Sequence, residues 1–197
     1  MKFAEYLTTP NFCCPKAPVH KVNAASAVII IRFILKVFSV KIIILVTFVG
    51  CNSTKNNMSK RVLVSGGAGF IGSHVTVELI QSGYEVVVAD DMSNCDMTCF
   101  EGVKKITGRE DIPFIKMNFC DLDAVNKLFS EFQIDAVIHF AAFKAVGESV
   151  SEPVKYYSNN LSSFLNVIEA AKTHGGCNVL FSSSATVYGE PDKLPVT

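Results

Sequence analysis

Gly66-Gly67-Ala68-Gly69-Phe70-Ile71-Gly72 follows one apolar run and opens a helical pattern, and its glycines suit the binding of a phosphate anion. Gly66 permits a tight turn, Gly69 lets the backbone come close to a pyrophosphate, and Gly72 lets a helix and a strand pack closely. The exposed amides and the positive end of the helix then hold the anion. Glycines also occur in plain turns, so the motif draws its weight from its surroundings. Asp90 closes the next apolar run, 18 residues after Gly72. A carboxylate there accepts hydrogen bonds from both hydroxyls of an adenosine ribose and repels a 2′-phosphate, which favours NAD over NADP. The competing reading of Asp90 is a turn residue at a strand end. Asp91, Ser93 and Asn94 continue the polar loop, and each either touches the same ribose or is solvated.

The elements that must position these residues alternate along the chain. Short runs rich in Val, Ile, Leu and Phe predict strands over Arg61 to Ser65, Glu85 to Ala89, Pro113 to Met117, Ala136 to Phe140 and Asn178 to Phe181. They are nearly continuous in apolar residues, as parallel strands covered on both faces are. Helical patterns fill the gaps at about Phe70 to Gln81, Phe100 to Thr107, Leu122 to Phe132 and Val154 to Lys172. In the last of these, Leu161, Phe164, Leu165 and Ile168 recur at spacings of three and four, which predicts a stripe packed against the sheet. Right-handed crossovers then leave one architecture, an α/β doubly wound parallel sheet of the Rossmann type. No internal repeat or low-complexity tract interrupts it.

The charge balance divides the chain in two. Residues 1–57 carry seven Lys/Arg against Glu5 alone, whereas the remainder carries 11 basic and 17 acidic residues. An acidic body without clustered Lys/Arg argues against nucleic acid as the partner, because phosphate contacts need a basic face. The seven cysteines form no Cys-x-x-Cys pair and have no His at metal-ligand spacing. Cys95, Cys99, Cys120 and Cys177 read as free thiols of a reducing, cytoplasmic compartment, with no metal. Within the first segment, Ala27 to Gly50 is strongly apolar but interrupted by Arg32, Lys36 and Lys41. Each charge at mid-bilayer depth costs roughly 2.5 to 3.5 kcal/mol, which weakens the case for a spanning helix. Three readings stay open for residues 1–57: an extension ahead of a natural start at Met58, a membrane anchor through residues 27–50, or a folded contribution to the domain. Residues 58–197 are then the dinucleotide-binding domain.

Three further segments are more selective. His139 to Val150 (HFAAFKAVGESV), Tyr156 to Asn160 (YYSNN) and Phe181 to Gly189 (FSSSATVYG) together resemble the UDP-glucose 4-epimerases, members of the extended short-chain dehydrogenase/reductase family. The resemblance runs from about Lys60 to Thr197 and corresponds to somewhat less than the first half of the family's chain. The run from Lys144 to Ser149 is its most selective piece, since related sugar dehydratases and decarboxylases share the glycine loop but usually differ there. The resemblance implies that Phe70 and Ile71 lie along the pyrophosphate of NAD. Phe140, Ala141, Ala142 and Lys144 would line the cofactor, Lys144 reaching a ribose or phosphate oxygen, and Asn159 would touch it from the helix. Ser184 would hydrogen-bond near the sugar's reacting hydroxyl. Where the family usually places an acid against the adenine amino group, this chain has Asn118 followed by Phe119, and an asparagine oxygen still accepts such a bond. The plain counterparts are a solvated loop lysine for Lys144, a helix residue satisfying local backbone for Asn159, and a hydrogen-bonded core histidine for His139.

In the family this resembles, a tyrosine phenolate takes the proton from the C4 hydroxyl of a UDP-sugar while hydride passes to the nicotinamide. A lysine four residues later lowers the tyrosine pKa. No Tyr-x-x-x-Lys occurs in the 197 residues. Tyr188 is followed by Lys193 at five residues, with Gly189 and Pro191 between, so no helix presents the two together. The expectation is therefore a fold truncated before its substrate domain and inactive alone, whose full-length relatives form homodimers. The alternatives are a non-catalytic dinucleotide-binding module and an epimerase for related UDP-sugars.

Overall fold

β-branched side chains fit a pleated surface covered on both faces, and the Val- and Ile-rich runs do form the sheet. The computed structural model describes residues 44–48 and 60–183; Ser184, Tyr188 and Lys193 lie outside the described residues. The strands are β1 (Ile44–Phe48), β2 (Arg61–Ser65), β3 (Glu85–Asp90), β4 (Phe114–Lys116), β5 (Ala136–His139) and β6 (Asn178–Ser182). They lie in the order β1-β6-β5-β2-β3-β4. From β4 to β6 all pairings are parallel, whereas β1 pairs with β6 antiparallel, Ile44 opposite Ser182 and Phe48 opposite Asn178.

The crossovers are α1 (Phe70–Gln81), α2 (Thr98–Thr107), α3 (Leu122–Glu131) and the consecutive pair α4 (Val146–Ser151) and α5 (Pro153–Thr173). Local chemistry sets several ends. Asp121 caps α3 by accepting from the amides of Asp123 and Ala124, Gly108 closes α2 with φ of 67°, and Pro153 opens α5 where its missing N–H costs nothing. Alternate residues of each strand feed two cores. Val62, Val64, Val86 and Val88 pack with Phe100 and Val103, the side of α1 and α2; Leu63, Val87, Val137 and Val179 pack with Val125, Leu128 and Val167, the side of α3 and α5. β2 therefore has β3 on one side and β5 on the other, with helices leaving to opposite faces. The crevice at the carboxyl ends of β2 and β5 is where such sheets take ligands.

Three features differ from the sequence reading. First, α4 falls in the run Val146–Ser151, where no helix is predicted. Gly147 and two valines are poor helix formers, and tertiary bonds hold the turn: Glu148 accepts from Lys155 Nζ at 2.5 Å and from the Tyr156 hydroxyl at 2.7 Å. Second, the stripe predicted on α5 is half met: Phe164 and Ile168 pack against the core beside the buried Tyr156, Ser163, Val167, Ala170 and Ala171, while Leu161 and Leu165 are 54% and 61% exposed. Small side chains let the helix sit close to the sheet and turn the leucines outward. Third, the sheet extends past the predicted strands through β1, a piece of the apolar segment 27–50. Among the described residues no helix is long and apolar enough to cross a membrane.

Candidate functional site: a cleft at the carboxyl edge of the sheet

Backbone bonds align the strand ends. The Gly66 amide donates to the Ala89 carbonyl at 2.8 Å, Phe140 to Ser65 at 2.9 Å, and Met117 to Asp90 at 3.0 Å. Around these ends opens a cleft of about 290 Å³, and every residue that the sequence assigns to a cofactor lines it. Gly66, Gly69, Phe70, Ile71 and Gly72 form its floor at the start of α1. Asp90, Asp91 and Asn94 form one wall, Asn118 and Phe119 the outer end, and Phe140, Ala141, Ala142, Lys144 and Asn159 the opposite side.

Two glycines are dictated by space. A Cβ on Gly72 would stand 2.2 Å from the Gly66 carbonyl oxygen, and one on Gly66, whose φ is 72°, would stand 2.7 Å from the Ala141 amide nitrogen. Gly69 is different: a Cβ there would meet only the Gly66 oxygen, at 3.4 Å. Its importance lies on the open side, where a ligand's backbone approach would use the room.

Asp90 is only 7% exposed, and its carboxylate ties two loops together. One oxygen accepts from the Ala68 amide at 3.1 Å, the other from the Met92 amide at 2.9 Å and the Cys95 thiol at 3.6 Å. Met92 pays with φ of 63°, a left-handed conformation uncommon for such a side chain and typical of ligand loops. A carboxylate has about four acceptor positions, so capacity remains for a ribose. Burial, reinforced by Asp90, pushes the Cys95 thiol up to about 11, which keeps it protonated and unreactive. Burial and then Asp91 raise the Cys120 thiol in the same way.

Lys144 reaches the cleft with its ammonium partly desolvated, which lowers its pKa. Asn159 Nδ2 donates to Asn160 Oδ1 at 3.1 Å, and its oxygen accepts the Cys120 thiol at 3.5 Å. Below the cleft, His139 is buried, with Nδ1 2.7 Å from the Ser65 hydroxyl and Nε2 3.5 Å from Ser163. The rings of Phe119, Phe164 and Phe181 surround it. Burial, then the nearby Lys144 charge, lowers its pKa to about 4, so it stays neutral and pins β2, β5 and α5 together.

The sequence reading missed some contributors. Asn160 brackets the Phe143 peptide, accepting from its amide at 2.8 Å and donating to its carbonyl at 3.1 Å, and so holds the backbone beside Lys144. Cys95, Phe143, Ser163 and Ser182 also line the cleft. Only a second asparagine beside Asn159 hinted at the bracket. Asn118 Oδ1, read as an acceptor for a purine amino group, already accepts the Cys120 amide at 2.8 Å in a turn of its own chain, which leaves it one further lone pair. Ser184, the sole catalytic candidate, lies outside the described residues.

Residues 63–197 match the family model described as GDP-mannose 4,6 dehydratase. A UDP-glucose 4-epimerase of Bacillus subtilis is 52% identical over 136 residues, covering 69% of this chain and 40% of the relative. The structure is similar to that of UDP-glucose 4-epimerase from Bifidobacterium longum in complex with NAD+ and UDP, with a TM-score of 0.67, 45% identity, and 70% of this chain and 41% of that one covered. It is similar too to the Stenotrophomonas maltophila UDP-glucose-4-epimerase with bound NAD and formylated UDP-arabinopyranose, with a TM-score of 0.66, 44% identity, and coverage of 70% and 40%. The chain thus spans about 40% of the length of the curated relatives it matches.

Proposed function

Because the chain belongs to the GDP-mannose 4,6-dehydratase family, we propose that its cleft binds NAD and serves a nucleotide-sugar 4-epimerase that interconverts UDP-glucose and UDP-galactose. The observation that carries this reading is the convergence, at the switch point of the sheet, of the Gly66–Gly72 turn, the Asp90 carboxylate and the Phe140–Lys144 loop on one cleft. In this reading the start of α1 holds the pyrophosphate, Asp90 takes the adenosine ribose hydroxyls, and Lys144 and Asn159 hold the second ribose. The residues present fit the cofactor: the Gly66 and Gly72 positions leave no room for side chains, and Gly69 is open toward the cleft. When bound, NAD supplies a hydride acceptor for the sugar carbon. The chain's own residues would hold and orient it from the lining of the cleft.

The second reading is a dinucleotide-binding module without turnover, which the same cleft would serve. Incubating the protein with NAD and UDP-galactose and following the anomeric proton signals separates the two. Appearance of UDP-glucose supports the epimerase, and NAD binding without conversion supports the module.

The partner in this reading is a second copy. Val146, Val150, Val154, Tyr157, Leu161 and Leu165 are all more than half exposed along α4 and α5, and a single apolar stripe of this kind is self-complementary about a two-fold axis. The compartment in this reading is the cytoplasm, in keeping with the free thiols of Cys95, Cys99 and Cys120. Membrane association through residues 27–50 is the alternative, and detergent dependence of extraction would reveal it.

A further inference from the structure

We infer that Asn118 makes the purine end of the cleft permissive for a 6-oxopurine dinucleotide, so that the site does not require the 6-amino group of adenine. The inference rests on the dinucleotide reading and concerns the same cleft. The direction of the ligand follows from the sheet. If the pyrophosphate lies at the end of β2 and the ribose at Asp90 on the end of β3, the base lies further out, over the end of β4. Asp90 is in register with Lys116 and its backbone carbonyl accepts the Met117 amide at 3.0 Å, which puts Asn118 and Phe119 at that outer end, where both line the cleft.

The polarity of Asn118 is set by its own backbone. The Cys120 amide needs an acceptor, so the side-chain atom at 2.8 Å from it is the oxygen, Oδ1. The group left is the Nδ2 amide, a donor with no hydrogen-bond partner among the described residues. A carboxylate at this position would close the same turn with one oxygen and keep the other as an acceptor for an amino group. The amide adds a donor, Nδ2, to the one lone pair its oxygen keeps. The donor pairs with the carbonyl oxygen at position 6 of hypoxanthine, while the amino group of adenine is left the second lone pair of an oxygen that already accepts the Cys120 amide, so either purine finds a partner. The neighbouring Phe119 carbonyl offers little compensation, because it already accepts Asn166 Nδ2 at 3.0 Å.

The test is calorimetric titration of the full chain with NAD and with nicotinamide hypoxanthine dinucleotide, repeated on Asn118→Asp after its melting curve is shown to match. Wild type is expected to bind the hypoxanthine form within a few-fold of NAD. Asn118→Asp is expected to shift the ratio toward NAD by about ten-fold, the size of one hydrogen bond gained against one lost. A wild-type preference for NAD of more than a few-fold overturns the inference and leaves the dinucleotide reading standing, as does a ratio that Asn118→Asp does not move. Failure of wild type to bind either dinucleotide overturns both.

Discussion

The space around Gly72 is the strictest local constraint in the molecule. A methyl group there would collide with the Gly66 oxygen at 2.2 Å and the Gly67 Cα at 2.7 Å, both backbone atoms of the turn. Gly72→Ala should therefore destabilise the fold by about 1–3 kcal/mol, read from the urea midpoint, and weaken dinucleotide binding with it. Gly102, inside α2 with nothing within 4 Å of its Cβ position, is the contrast: Gly102→Ala should stabilise by about 0.5–1 kcal/mol. His139 gives a second prediction at this scale. Its folded-state pKa of about 4 lies below the ordinary 6.5 because burial disfavours the charged ring. The stability it permits is full above pH 6.5 and declines as pH falls toward 4, by up to about 3 kcal/mol. Between pH 6.5 and about 5, the urea midpoint of wild type should fall. His139→Gln, which cannot titrate, should start lower at neutral pH and change less across the same window.

At the scale of elements, α5 shows why a periodic stripe does not say which way it points. Leu161, Phe164, Leu165 and Ile168 obey helical spacing, yet only Phe164 and Ile168 pack against the core, beside Ser163, Val167, Ala170 and Ala171. Close approach of a helix to a sheet rewards small residues, and the two leucines turned outward. The strand positions, by contrast, were legible because both faces of a parallel sheet are buried, and only unbroken apolar runs satisfy that. α4 was illegible: its helix depends on bonds from Lys155 and Tyr156 to Glu148, partners on the next element. The exposed stripe yields a direct expectation. Replacing Leu161 and Leu165 together by Asp should convert a dimer to a monomer in sedimentation velocity while leaving the circular dichroism spectrum unchanged. A wild-type chain that sediments as a monomer at micromolar concentration would remove the stripe as a self-association face.

For the molecule as a whole, the cleft was legible in outline because its chemistry is carried by the backbone. A glycine turn, a strand-end acid and the ends of parallel strands are brought together by topology, and the order of strands follows from right-handed crossovers. What the sequence left out is where each polar side chain spends its hydrogen bonds. Asp90 divides its carboxylate between Ala68, Met92 and Cys95, and Asn118 turns its oxygen back on Cys120. Neither follows from residue type or spacing, since both depend on the path of a loop. The same Asp90 carboxylate carries the central claim, because a buried negative charge placed beside a ribose, as proposed, would admit two hydroxyls and repel a phosphate. The most direct measurement is calorimetric titration of the full chain with NAD and with NADP at moderate salt. NAD should bind with one site per chain and NADP at least about ten-fold more weakly, with Asp90→Asn narrowing that gap. Equal affinity for the two, or no binding of either, would contradict the account.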